Sequence, residues 1–114
     1  MKQMTTIYGI YFDFNKAEVK PESEPALKEI TKLLQQNPNL KLYVVGQTDN
    51  EGALDYNMKL SQQRAEAVVK ELVTKYNVVQ GRLTACGLGP LAPVISNDTE
   101  EGKAKNRRVE LVKQ

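Results

Sequence analysis

The chain has 114 residues, 40% hydrophobic and 26% charged, which is the size and balance of one globular domain. It has no histidine, one cysteine and no tryptophan. Histidine-based acid–base chemistry, an internal disulfide and a Cys/His metal cage are therefore excluded, and stacking surfaces for nucleic-acid bases are scarce. Sixteen basic against 14 acidic residues leave +2, too near neutral to point to nucleic acid.

The start, Met1-Lys2-Gln3-Met4-Thr5-Thr6, lacks the apolar run of a signal peptide and reads as a tail or linker, with one domain over residues 7–114. This predicts either a cytosolic protein or a domain of a longer exported chain. Residues 7–14, IYGIYFDF, are rich in β-branched and aromatic side chains and predict a strand. A helix follows near Glu22 or Ser23, with Pro25 in its first turn and Leu27, Ile30, Leu33 and Leu34 at helical spacing. Asn37-Pro38 ends it, because the residue before proline avoids the α region.

Residues 40–45, LKLYVV, predict the second strand, and residues 46–52, GQTDNEG, a polar loop. The longest regular segment runs over about residues 56–76. There Ala65, Val68, Val69, Leu72, Val73 and Tyr76 form an amphipathic stripe. Residues 83–87 predict a short third strand holding the buried Cys86, residues 91–105 a polar loop, and residues 107–113 a fourth strand. The expected architecture is α+β: a two-layer sandwich with two main helices on one face of a four-stranded mixed sheet, in β-α-β-α-β-β order.

At about 100° per helical residue, Asn57, Ser61 and Arg64 share one flank of the buried stripe on the long helix. A half-buried arginine needs a partner. Asp49, in the Gly-flanked loop that leads into this helix, is the candidate. Such a pair serves either as a structural salt bridge or as a grip on a zwitterion, the carboxylate taking an ammonium and the guanidinium a carboxylate. Asp49 reads equally as a turn residue. Spacing leaves both alternatives open.

Thr48-Asp49-Asn50-Glu51-Gly52, Tyr56-Asn57, Leu60-Ser61, Arg64-Ala65 and Asn106-Arg107-Arg108-Val109 together resemble the signature of the OmpA-like C-terminal domain. That domain is the peptidoglycan-binding module of outer-membrane porin-like proteins and peptidoglycan-associated lipoproteins. Ile10-Tyr11-Phe12-Asp13-Phe14-Asn15 looks like the family's first strand. The resemblance implies a non-enzymatic, cofactor-free and metal-free binder of the diaminopimelate in the peptide stem, with Asp49 and Arg64 as the primary grip. Secondary contacts carry over to Phe14, Asn15, Thr48, Asn57, Leu60 and Arg107. It further implies a place at the periplasmic face of the outer membrane of a Gram-negative-type bacterium. Membrane attachment would come only through a parent segment absent from this chain, and other envelope proteins would be possible partners.

Gln47 stands where many relatives have histidine or tyrosine. Asn15 stands where aspartate is common, and its neutral amide removes one ammonium partner. These departures keep open a rival role, a structural or protein-interaction domain of the same fold without peptidoglycan binding. An enzyme cleaving the same polymer would need a second carboxylate facing Asp49, and the sequence supplies none.

Overall fold

The computed structural model describes residues 4–114. Strands β1 (Met4–Ile7), β2 (Leu42–Gln47), β3 (Leu83–Gly89) and β4 (Arg108–Lys113) form one sheet in the order β1-β4-β2-β3. β4 runs antiparallel to both β1 and β2, whereas β2 and β3 are parallel. A parallel pair needs a long crossover, and helix α2 (Leu54–Lys75) provides it. Helix α1 (Glu24–Gln36) precedes β2 and a short α3 (Glu100–Asn106) precedes β4.

The helical stripes and the sheet close one core. Leu27, Ile30 and Leu34 of α1 and Val68, Val69 and Leu72 of α2 are buried with Leu42, Val44, Leu83, Val109 and Leu111 from the sheet. Strand alternation turns Leu42 and Val44 inward and leaves Tyr43 half exposed. The expected α+β sandwich with two main helices on one face is the fold observed.

α2 lies directly on the strands because two glycines let it. Gly46 and Gly87 are cross-strand partners beneath Ser61 and Gln62. A Cβ on Gly46 would sit 2.5 Å from the Ser61 carbonyl oxygen, and one on Gly87 would collide with the Gln62 backbone. The close seat lets helix side chains satisfy the strand. Gln62 Oε1 accepts from Gly87 N at 2.8 Å, and Ser61 Oγ accepts from Gly89 N at 2.9 Å. Donors on edge strand β3 are thereby covered from the helix.

Three expectations need correction. The first strand is Met4–Ile7, beginning in the segment read as a tail and ending where residues 7–14 begin. Gly9 has φ +94° and turns the chain off the ladder. Beyond it, Ile10 and Phe12 pack on the core while Tyr8, Tyr11 and Phe14 stay exposed, with only an isolated bridge between Phe12 and Val19. The aromatic content looked like a strand, but here it forms a wrap across the end of the sheet.

The polar loop expected over residues 91–105 contains α3. Thr99 caps it, its side chain accepting from Gly102 N at 3.0 Å, with Glu100 and Glu101 in the first turn. Cys86 is only partly buried, on the sheet face opposite the helices, as the register of its partner Val45 requires.

Gly87→Ala should force α2 away from β3. Overpacking of this kind costs about 1–3 kcal/mol, so the urea midpoint should fall with no change in denaturant slope. An unchanged midpoint would show that the helix seat is not constrained there.

Candidate functional site

The loop after β2 is held from several sides. Thr48 N donates to Gly89 O at 2.8 Å and Thr48 Oγ1 to Asp49 O at 2.7 Å. Asn57, buried in the first turn of α2, donates from Nδ2 to Glu51 O at 2.6 Å. Lys103 Nζ of α3 lies 2.7 Å from Glu51 Oε1, a contact that raises the lysine pKa above its ordinary value.

Asp49 is buried at the centre of this loop. Its Oδ1 accepts from Glu51 N at 3.0 Å, and its Oδ2 accepts from Arg107 Nη1 at 2.5 Å. The expected Asp49–Arg64 ion pair is therefore not formed: the counterion is Arg107. The cause is topological. β2 ends and β4 begins side by side, with Gln47 opposite Arg108, so Asp49 and Arg107 are the next charged residues outward and meet there.

Arg64 bonds elsewhere. Its Nε donates to Lys16 O at 2.8 Å and its Nη2 to Asp13 O at 3.2 Å, and the guanidinium stands 4.8 Å from the centre of the Phe12 ring. The turn that presents these carbonyls is closed by Asn15 at φ +59°, a conformation asparagine tolerates better than most residues. Burial pushes the Arg64 pKa below its ordinary value. Tyr56 opposes that shift, Arg107 adds to it and Asp49 opposes it. Arg64, Arg107 and Asp49 thus share one electrostatic neighbourhood without a direct Arg64–Asp49 contact.

A cleft of about 450 Å³ brings the two arginines to the surface, walled by Tyr8, Phe12, Phe14, Arg64 and Arg107 and ending on Gly46 and Gln47, while Asp49 is buried behind Arg107 and does not line it. Of the secondary contacts expected, Phe14 and Arg107 line it. Thr48 and Asn57 brace the loop from behind. Leu60 is buried in α2, and Asn15 is an exposed turn residue.

Asn106, Arg107 and Arg108 have three separate tasks. Asn106 accepts from Val94 N at 2.8 Å and donates to Ile95 O at 2.9 Å, fastening the segment before α3. Arg107 holds Asp49. Arg108 is buried with Glu110, Nη2 to Oε1 at 2.7 Å, and also donates to Ala92 O at 2.6 Å and Asn106 O at 3.0 Å. Gln47 Nε2 donates to the same Glu110 oxygen at 2.8 Å.

Sequence reasoning missed this buried network and the Phe12 platform. The only sequence signals were a glutamate inside an otherwise apolar strand and the arginine two residues before it. Among the described residues no group of three or more His, Cys, Asp or Glu is placed to hold a metal ion.

The sequence model of the OmpA family matches residues 11–107. The probable lipoprotein YiaD of Escherichia coli is 43% identical over 103 residues, 90% of this chain and 47% of that protein. The crystal structure of the peptidoglycan-associated lipoprotein from Burkholderia pseudomallei superposes with a TM-score of 0.78 at 32% identity, covering 99% of this chain and 91% of that one. The structure of the cell wall anchor of the T6SS from Pseudomonas aeruginosa gives 0.80 at 34% identity, covering 97% and 81%. The chain spans less than half the length of the lipoprotein relative.

Arg108→Met should leave Glu110 buried without a counterion, at a cost of about 3–5 kcal/mol. Combining it with Glu110→Leu should recover most of that loss. Chemical denaturation of both variants checks this, and a double variant as unstable as the single one would contradict it.

Proposed function

The chain belongs to the OmpA family, and from that premise we propose that it binds peptidoglycan non-covalently, through the diaminopimelate of the peptide stem. Asp49 takes the ammonium of the free amino-acid end and Arg64 takes its carboxylate. One observation carries this reading: Arg64 is anchored but not used up. A guanidinium has five N–H donors. Arg64 places one from Nε on Lys16 O and one from Nη2 on Asp13 O. Its Nη1–Nη2 edge keeps the parallel donors that a carboxylate accepts in bidentate fashion.

Asp49 is in the same state. Glu51 N and Arg107 Nη1 each occupy one site on a different oxygen. A carboxylate offers about four lone-pair sites, so an ammonium can join without evicting Arg107. Burial of the acid strengthens that attraction, because fewer waters screen it.

Two solved relatives, a peptidoglycan-associated lipoprotein and a cell wall anchor, support the same direction. In this reading the module is a binder and not an enzyme. It faces the periplasm in a Gram-negative-type envelope and fastens the outer membrane or an envelope complex to the wall.

Calorimetric titration with a diaminopimelate-containing muropeptide tests it. Asp49→Ala and Arg64→Ala should each weaken binding by at least about 2 kcal/mol, roughly thirtyfold. Arg64→Lys should fall close to Arg64→Ala, since an ammonium cannot supply the fork. Near-wild-type affinity in both alanine variants would overturn the assignment and leave the protein-interaction role.

A further inference from the structure

The sheet has two edge strands, β1 and β3. An edge presents backbone groups that a strand of another chain can pair with, and short length, charge, proline or a bulge discourages this. β1 has only four residues. β3 has seven, LTACGLG, with no charged residue and no proline, and its register shift comes only at its end, beside Gly46 and Gln47. Its middle, Ala85, Cys86 and Gly87, is partly exposed. α2 does not roof this edge. Gly46 lies under Ser61 and Gly87 under Gln62, so the helix sits over the seam between β2 and β3.

One side chain fills the gap. Gln62 Nε2 donates to Ala85 O at 3.3 Å, and Gln62 Oε1 accepts from Gly87 N at 2.8 Å. A carbonyl and the N–H two residues later, on the same edge, are groups that a neighbouring strand binds. A side-chain amide has both a donor and an acceptor end, so Gln62 makes both bonds as a strand's own backbone would. The flanking donors are also taken within the chain, Leu83 N by Gln80 O and Gly89 N by Ser61 Oγ at 2.9 Å.

We infer that Gln62 is an edge stop, and that the partner it excludes is the β3 strand of a second copy of this chain. The edge is self-complementary. Two copies set antiparallel about a two-fold axis at Cys86 exchange Gly87 N–H for Ala85 O in both directions, the bonds that flank a non-hydrogen-bonded pair. These are the same two atoms that Gln62 holds. No charge on either strand opposes the pairing. Cys86 then faces its own counterpart, with Cα atoms about 4.5 Å apart, inside the roughly 4.4–6.8 Å that a disulfide spans. That makes the thiol a reporter of this register.

The test uses two variants. Gln62→Ala removes the amide. Gln62→Lys removes it too, but sets on the edge a charge that discourages pairing. By sedimentation equilibrium under reducing conditions, Gln62→Ala should self-associate at least about tenfold more tightly than wild type or Gln62→Lys. In air with copper phenanthroline, its Cys86–Cys86 disulfide should form about tenfold faster than theirs, because pairing holds the two thiols at high effective concentration. In the wild-type chain, the Gly87 amide should exchange with deuterium at least about tenfold more slowly than an unbonded amide. A wild-type Gly87 amide exchanging at the unbonded rate would overturn the stop, whether or not the variants fold. So would a Gln62→Ala variant no more associated than wild type, or a Gln62→Lys variant associated as strongly as Gln62→Ala. Association of Gln62→Ala without faster Cys86 cross-linking would overturn the pairing through β3.

Discussion

Gln47 and Arg108 stand opposite each other where β2 ends and β4 begins, and Asp49 and Arg107 are the next charged residues outward. The β2–β4 register therefore decides where the positive charges of the cleft fall. Side chains alternate along a strand, so a slip of one residue would turn Arg107 into the covered face and Arg108 toward Asp49. Burial holds the register. Leu42, Val44, Val109 and Leu111 all lie inside on the helix side, and a slip would set the charged Arg108 and Glu110 against the helices in place of β4's share of them. The ion pair that shapes the candidate site is thus a consequence of core packing some distance away.

The opposite face of the same strands carries a cost. Arg108 and Glu110 are almost wholly buried, and Gln47 Oε1, Arg108 Nε and Glu110 Oε2 find no hydrogen-bond partner among the described residues. Buried ion pairs of this kind are seldom net stabilising against apolar replacements. This one does something that apolar residues would not: its donors reach Ala92 O and Asn106 O. The segment ahead of α3 is thereby pinned across the sheet, and with it Lys103, which reaches back to Glu51 in the Asp49 loop. The charge in the core organises polar backbone at the rim.

Much of the fold was legible in the sequence because it rests on periodicity. The stripes of α1 and α2 and the apolar runs of β2 and β4 mark the elements directly, and Pro38 marks a boundary. Misreadings arose where composition and geometry part company. Residues 8–14 have strand composition but include Gly9 in a left-handed conformation, so they wrap instead of pairing. α3 is polar because it rests on the surface, and its only sequence signal was Thr99 followed by two acids. In the site, the motif residues Asp49, Arg64 and Arg107 lie in one neighbourhood, but the pairing differs from the one expected. Arg64 and Asp49 are neighbours, yet the tertiary register gives Asp49 to Arg107. No local pattern in the sequence encodes that choice.

The consequence of that exchange is preorganisation. Had Arg64 paired with Asp49, each ligand charge would have had to replace an internal one, and binding would have competed with a formed salt bridge. Instead the carbonyls of Asp13 and Lys16 hold one edge of the guanidinium, and Phe12 lies 4.8 Å from it. A free arginine side chain loses on the order of 0.5–1.5 kcal/mol of rotamer freedom when a ligand immobilises it. Here folding has already met most of that cost. Carbonyl oxygens hold the cation without neutralising it, so its full charge remains for an incoming carboxylate. Arg107 has the complementary effect on Asp49: it orients the carboxylate while leaving acceptor sites on both oxygens. Two fixed, opposite and incompletely satisfied charges, each held by a group other than its natural mate, are what the proposed grip on a zwitterion requires.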